Sequence, residues 1–462
     1  MPRRQGGSLS GFTPLSTPNA PTDLSVSTSI GSASVSFTAP SDTGDAAVTS
    51  YIVTAVNEST GASSGATGTE SPISISPGGG TFKIRAQAVN GFGPGRLSEF
   101  LTGQSILSGA ELYGWGSGGN GRIGDNTTTD HSSPVQVGAL TTWRQASVGT
   151  NFTLALTTDG KMWSWGRASP YGQLGHNDAV DRSSPVQIGA LTTWDKIAVG
   201  STQSHALKTD GTLWSWGKNA DGQLGLDDTV NRSSPVQIGA LTTWASISAG
   251  AKQAFAITTS GALYAWGSGG AGRLGTGNTD YVSSPVQVGL LTNWHKTSSG
   301  INHTLAIKTD GTLWSWGNNY NGALGRNNQT SYSSPVAVGA LTSWTDIGAG
   351  DDFSGAISAG RLFSFGKNTS GQLGLNDTTR RLSPVQVGAL TNWLSVSAAS
   401  SHSAAVKTDG TLWTWGNGSI GRLGDGTTVS KSSPVQIGAL TDWVAVDTSS
   451  DAVNTTALVG VV

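Results

Sequence analysis

Residues 213–262 read LWSWGKNADGQLGLDDTVNRSSPVQIGALTTWASISAGAKQAFAITTSGA, and their local signals are strands. In LWSWG the residues alternate, with Trp214 and Trp216 on one face and Leu213 and Ser215 on the other, the period of a pleated strand. SSPVQIG and WASISAG supply two further short strands, separated by turn-rich segments. With a fourth in the hairpin below, ~50 residues hold four strands, the size of one β-propeller blade.

The same unit recurs on both sides. Copies begin at Leu112, Met162, Leu213, Leu263, Leu313, Leu362 and Leu412, a spacing of 49 to 51 residues. Every copy has Pro in its SSPV or LSPV segment and Trp at the end of L-T-x-W, from Pro134 and Trp143 to Pro434 and Trp443. Residues repeated sevenfold make the core between units, so these tryptophans are read as packing residues. Tyr113, Tyr264, Phe363 and Phe365 fit that reading, since bulk and aromaticity persist where Trp does not.

HTLAIKTDGTLWSWG, residues 303–317, is two alternating runs around Asp310-Gly311. The dipeptide predicts a two-residue type I′ turn, with positive φ at both positions. This hairpin joins the last strand of one unit to the first of the next, so the two share a sheet. Six such joints are covalent. The seventh requires Glu111–Trp115 to pair with Thr455–Val459, which removes two open edges. Small residues in IAVG and ISAG suit the crowded strand near the axis. The expected fold class is all-β: a seven-bladed propeller over residues 111–462.

Composition agrees. Charged residues are 12% of the 462, about half the usual ~25%, while 17 Trp argue against disorder. A net charge of −2 offers no basic stripe for nucleic acid. Cysteine is absent, excluding disulfides and thiolate metal sites. No apolar run reaches the ~18 residues of a membrane span. MPRRQGGSLSGF lacks a signal peptide's apolar stretch, so folding in a cytoplasm is expected.

The pattern WGxNxxGQLG…SPVxVxxLTxW…AxGxxHTLAIKTDG resembles the RCC1 (regulator of chromosome condensation) repeat over residues 109–462. The resemblance implies a seven-bladed propeller. It leaves function open, because members include GTPase exchange factors, ubiquitin-ligase modules, a secreted β-lactamase inhibitor and phage proteins. The family's characteristic His stands only at His303 and His402, with Phe152, Gln203, Gln253 and Phe353 at matching positions. That position is therefore read as structural.

Residues 1–20, rich in Pro, Gly and Ser, are expected to form an extended arm. Residues 21–100 hold short alternating runs such as TSYIVTAV and TFKIRAQAV, which predict a small β-sandwich. It resembles a fibronectin type III domain at Pro21, Leu24, Val35, Tyr51, Val53, Ile84, Ala88, Asn90 and Gly91; Phe37 and Phe82 stand where that family has Trp and Tyr. Residues 101–110 are expected to link the two parts.

No catalytic, metal or cofactor site is expected. The six histidines lack metal-ligand spacing. Glycine patterns such as WGSGGNGRIG have no helix behind them to hold a phosphate. Turns such as Asp227-Asp228 and Asp125-Asn126 lack a calcium loop's distal Glu. Recognition is instead expected where the units differ, in the loop after WG and the stretch before SSP. Tyr171, Arg182, Tyr281, Tyr320, Arg326, Tyr332, Arg380 and Arg381 there are of the types that dominate binding hot spots. The leading expectation is a non-enzymatic structural or attachment protein of a virus particle. Its arm or sandwich would dock on other virion proteins, and its propeller would face a host-surface protein or glycan. A secreted or surface interaction module, inhibitor or adhesin is the alternative. A GTPase exchange factor ranks below both, since unit lengths leave no room for a wedge.

Overall fold

The computed structural model describes residues 15–448 and 451–461, and the chain divides between Gly109 and Ala110 into two compact units. The second unit contains seven four-stranded sheets. Six are continuous in sequence and antiparallel. In the fourth sheet the strands are Trp244–Ala249, Gln253–Thr258, Leu263–Gly267 and Val282–Gln287. In the fifth they are Trp294–Ser299, His303–Lys308, Leu313–Gly317 and Tyr332–Ala337. The first sheet draws on both ends of the unit, in the order His131–Gln136, Gly109–Gly116, Asn454–Val461, Trp443–Asp447. Its two central strands run antiparallel, since Ser117 N–H donates to the Val453 carbonyl at one end and Ser108 N–H to Val461 at the other.

The Asp-Gly hairpins link strands within a sheet as expected, but the turn differs. Of Asp310 and Gly311, only Gly311 takes positive φ, at 73°. Gly311 N–H donates to the Lys308 carbonyl and Lys308 N–H to Thr312, the pattern of a type I turn followed by a glycine bulge. Asp310 Oδ1 accepts from both Thr312 N–H and Oγ1–H, which holds the Asp in the ordinary negative-φ region.

Two repeated glycines are steric requirements. The Gly of WG has φ between 95° and 104° in all seven sheets, and a Cβ there would press on a backbone carbonyl. The second Gly of GQLG lies where an aromatic ring from the next sheet comes down; a Cβ at Gly225 would meet the indole nitrogen of Trp266. Between sheets lie apolar clusters, such as Phe152, Leu154, Trp194 and Trp216 between the second and third. Each such Trp removes ~150–250 Å² from water, about 4–6 kcal/mol of transfer free energy at ~25 cal/mol per Å².

The first unit has a three-stranded sheet (Thr22–Ser29, Ser32–Thr38, Ile73–Ile75) and a five-stranded one (Ser63–Gly68, Val48–Asn57, Gly80–Asn90, Gly93–Leu97, Leu101–Ile106). Both feed one core, containing Val35, Phe37, Tyr51, Val53, Ile73 and Ile84. Two expectations are corrected here. Leu101–Ile106, read as linker, is a strand paired with Gly80–Asn90, and Ile106 is fully buried in that core. Of the expected arm, residues 1–14 lie outside the described residues. Residues 16–19 are not free: Asp45 accepts from Ser16 N–H and Oγ–H, and Asn19 N–H donates to the Asp42 carbonyl.

Candidate functional site

The repeated polar side chains are used between neighbouring sheets. The second Trp of each WxW donates its indole N–H to a loop carbonyl of the preceding unit, as Trp216 does to Gln173 at 2.9 Å and Trp316 to Arg273 at 2.9 Å. A Ser or Thr hydroxyl donates to the same carbonyl in most sheets, as Ser204 does to Gln173 and Thr304 to Arg273. Two positions lack one donor each. Phe365 replaces the Trp, leaving the Ala323 carbonyl to Ser354, and Ala254 replaces the hydroxyl beside Gln223 and Trp266.

The family's His position behaves likewise. His303 and His402 are buried, and their Nε2 atoms pair with the hydroxyls of Ser354 and Thr455 of the next sheet at 2.9 Å. At the matching positions, Gln203 and Gln253 donate to the carbonyls of Gly250 and Gly300. Desolvation lowers the pKa of His303 to about 4 and of His402 to about 3, so both rings are neutral at physiological pH. His205, stacked edge-on to Trp266, is held to about 3 by burial. Lys208, Lys308 and Lys407 lie over the faces of Trp214, Trp314 and Trp413 at 3.5–3.7 Å, so these rings are already covered.

The strands that follow each L-T-x-W segment, Trp443–Asp447 in the first sheet and the first strand in the other six, line a cavity of about 400 Å³. Side chains bridge each such strand to the next. Gln145 donates to the Ile197 carbonyl at 2.8 Å, Lys196 to Ala245 at 2.5 Å, and Ser248 pairs with Thr297 at 2.7 Å. Lys296 pairs with Asp346, Asp346 accepts from Val396 N–H at 2.8 Å, and Ser397 pairs with Thr448. Asp447 then accepts from Val148 N–H at 2.8 Å, joining the first sheet to the second. Desolvation raises the Asp447 carboxyl to about 6, against the lowering effect of Val148 N–H and the Ser147 hydroxyl. The cavity wall is thus largely self-satisfied. No group of three or more His, Asp or Glu able to hold a metal occurs among the described residues.

The eight residues singled out for recognition divide sharply. Arg182 grips Asp178 with both guanidinium nitrogens, at 3.0 and 2.8 Å, and donates to the Val180 carbonyl. Arg381 reaches Asp377 with one guanidinium nitrogen at 2.5 Å and donates to the Thr379 carbonyl with the other. These two brace their own loops. Arg326 is turned inward onto the Ala337 carbonyl, and its guanidinium lies 5.9 Å from the Tyr332 ring, whose hydroxyl accepts from Asn328. Tyr171 carries Lys218 over its face at 5.2 Å. Tyr281 and Tyr320 are 63% and 71% exposed, and Arg380 is exposed.

The bracing pattern was present in the sequence and missed. The residue before S-S-P or L-S-P is basic in five units and pairs with an Asp of its loop: His131–Asp125, Arg182–Asp178, Arg232–Asp228, Arg381–Asp377 and Lys431–Asp425. The fourth and fifth sheets, which are neighbours, have Val282 and Tyr332 there instead. These are also the sheets with Tyr281 and Tyr320.

Repeated four-stranded sheets, bonded sheet to sheet through their second tryptophans and carrying unrepeated outer loops, are the construction of a β-propeller. A family model described as an RCC1-like domain matches residues 197–460, and RCC1 repeat models match 110–156, 159–207 and 143–173. The chain belongs to the RCC1-like family. It is 38% identical over 120 residues to the human E3 ubiquitin-protein ligase HERC2, a match covering 25% of this chain and 2% of that protein. It is 37% identical over 114 residues to the Arabidopsis thaliana ultraviolet-B receptor UVR8, covering 24% of this chain and 26% of the receptor. The matches thus span at most about a quarter of these relatives. Among solved structures, Prp20p from Saccharomyces cerevisiae superposes with a TM-score of 0.67 at 22% identity, covering 77% of this chain and 92% of that one. Human WBSCR16 gives 0.68 at 20% identity, covering 76% and 99%. At these identities the likeness is one of fold.

Proposed function

We propose that this chain is a non-enzymatic binding protein, whose seven sheets form one closed seven-bladed propeller that offers its unrepeated loops to a macromolecular partner. One observation carries the reading: the repeated second Trp of each unit and the residues at the family's His position are engaged in holding sheets to each other, which leaves recognition to the loops. Bridges from each inner strand to the next, Asp447 to Val148 included, support closure. The two-sheet unit with a shared core supports a fibronectin type III-like module as the carrier. RCC1-like relatives are typical protein-interaction modules, which favours a protein partner over a small substrate.

The proposed setting is a virus particle, with the first unit docked on other virion proteins and the propeller facing a host surface. Low charge and a tight repeat that needs no disulfides support it. Mass spectrometry of purified particles should detect the chain in stoichiometric amount; particles without it would remove the setting while leaving the binding role. Affinity capture from candidate host surfaces should then be lost on exchanging the fourth- and fifth-sheet loops for those of the third. Capture that survives every loop exchange would overturn the binding reading.

A further inference from the structure

We infer that the outer groove between the sixth and seventh sheets binds a neutral amphiphile, an unbranched apolar chain ending in a hydroxyl or amide donor. This goes beyond recognition by the loops and does not depend on it. A cavity of about 490 Å³ lies there, within the size range of small-molecule sites. Leu375, Val385, Val387, Leu390, Trp413 and Pro434 give it apolar walls. The residue after the second Gly of the GQLG segment decides whether such a groove is filled from within. In the fifth sheet it is Arg326, whose side chain crosses to the Ala337 carbonyl of the outer strand. In the second it is His176, bonded to the Ser164 hydroxyl; in the first and seventh it is Asp125 and Asp425, paired with His131 and Lys431.

In the sixth sheet that residue is Leu375, and Gln386 and Arg381 stand where the fifth has Ala337 and Tyr332. Leu375 and Gln386 both line the cavity, so it occupies the space that Arg326 crosses one sheet earlier. The occupant that fits is therefore chain-like, with a donor for the Gln386 carbonyl that a leucine cannot supply. Leu226 of the third sheet repeats the leucine, but with Tyr264 in place of Trp413. Charge selects the tip of the chain. The Arg326 guanidinium lies beside the Tyr332 ring, whereas a cation in the sixth groove would meet the guanidinium of Arg381. Arg381 is itself matched by Asp377, and Lys407, 3.6 Å from the Trp413 ring centre, is offset by Asp409. Neither cation is left over for a carboxylate, which also has no donor for a carbonyl. A neutral donor suits both walls.

Calorimetric titration of the full chain with straight-chain primary amides from butanamide to octanamide, beside the matching alkylguanidinium and alkanoate series, tests this. The amides should bind, tightening about threefold with each added CH₂ until the groove is full. The two charged series should bind at least about tenfold more weakly at equal chain length. Leu375→Arg copies the fifth sheet and should weaken amide binding by about tenfold or more, with thermal unfolding like the parent's. Arg326→Leu performs the reverse exchange and should give one amide site more than the parent has. No amide binding at millimolar concentration, a preference for either charged series, parent affinity in Leu375→Arg, or an unchanged site number in Arg326→Leu would each overturn the site. Loop exchanges that abolish capture of a macromolecular partner should leave amide binding untouched.

Discussion

In the fifth sheet, Leu313–Gly317 follows His303–Lys308 through the four residues Thr309–Thr312; in the first, Gly109–Gly116 and Asn454–Val461 meet with no turn at all. The contacts around them are nevertheless the same. Trp115 donates to Arg422 at 3.1 Å as Trp316 does to Arg273, and Thr455 and Thr304 add the second donor to each carbonyl. The comparison teaches that contacts across sheet boundaries, more than the hairpins, define each sheet's place. A hairpin lowers the entropy of pairing, while the carbonyl and its two donors fix the geometry.

The harshest way to break the equivalence is to delete residues 454–462. The first sheet then loses a central strand and exposes two edges, so the loss should approach the whole ~5–15 kcal/mol stability of a domain. Circular dichroism should report no cooperative unfolding transition. A truncated chain that melts like the parent would mean the terminal pairing is dispensable. Next in size, Trp115→Phe and Trp316→Phe should each cost about 1–3 kcal/mol in denaturant unfolding, and by similar amounts if the two sheets are equivalent. Phe365→Trp should go the other way, by about 1 kcal/mol, since the Ala323 carbonyl has a donor to gain.

Acid gives a third comparison. His205, His303 and His402 have folded pKa values of about 3 to 4, below the ordinary 6.5, so the unfolded chain takes up protons first as pH falls. Their stability contribution is complete above pH 6.5 and is lost between there and about pH 3 to 4, whereas Asp447, raised to about 6, favours folding in the same range. Three imidazoles outweigh one carboxyl, so the melting temperature should fall from pH 7 to pH 4. His205→Phe, which copies Phe255 of the next sheet, should recover on the order of 1–3 kcal/mol at pH 4 and little at pH 7. Parallel pH profiles for the two proteins would contradict this. The smallest effect belongs to the loops: Arg182→Ala should cost no more than about 1 kcal/mol, because its pair with Asp178 is partly exposed.

Repetition made the interior legible. Each strand, the shared hairpin and the inner position of IAVG and ISAG could be read because the same residues recur around the unit. What failed was local. The Asp-Gly turn was misread because Asp310 bonds Thr312 and so has no need of positive φ. LTGQSI was read as linker because its apolar residues do not alternate, although Ile106 completes the first core. Arg182 and Arg381 are of the recognition type, yet each has its Asp partner four positions upstream. Whether a loop arginine is free depends on its neighbours, and residue type alone does not say.

The antiparallel pairing of Gly109–Gly116 with Asn454–Val461 has a mechanical consequence. Ser108 and Val461 meet at one end of that pair, so tension applied through the two ends of the chain would pull both strands away from the same point. Hydrogen bonds loaded that way rupture in succession like a zipper, where a sheared pair would have to release them together. Opening under load should therefore begin in this sheet and at low force.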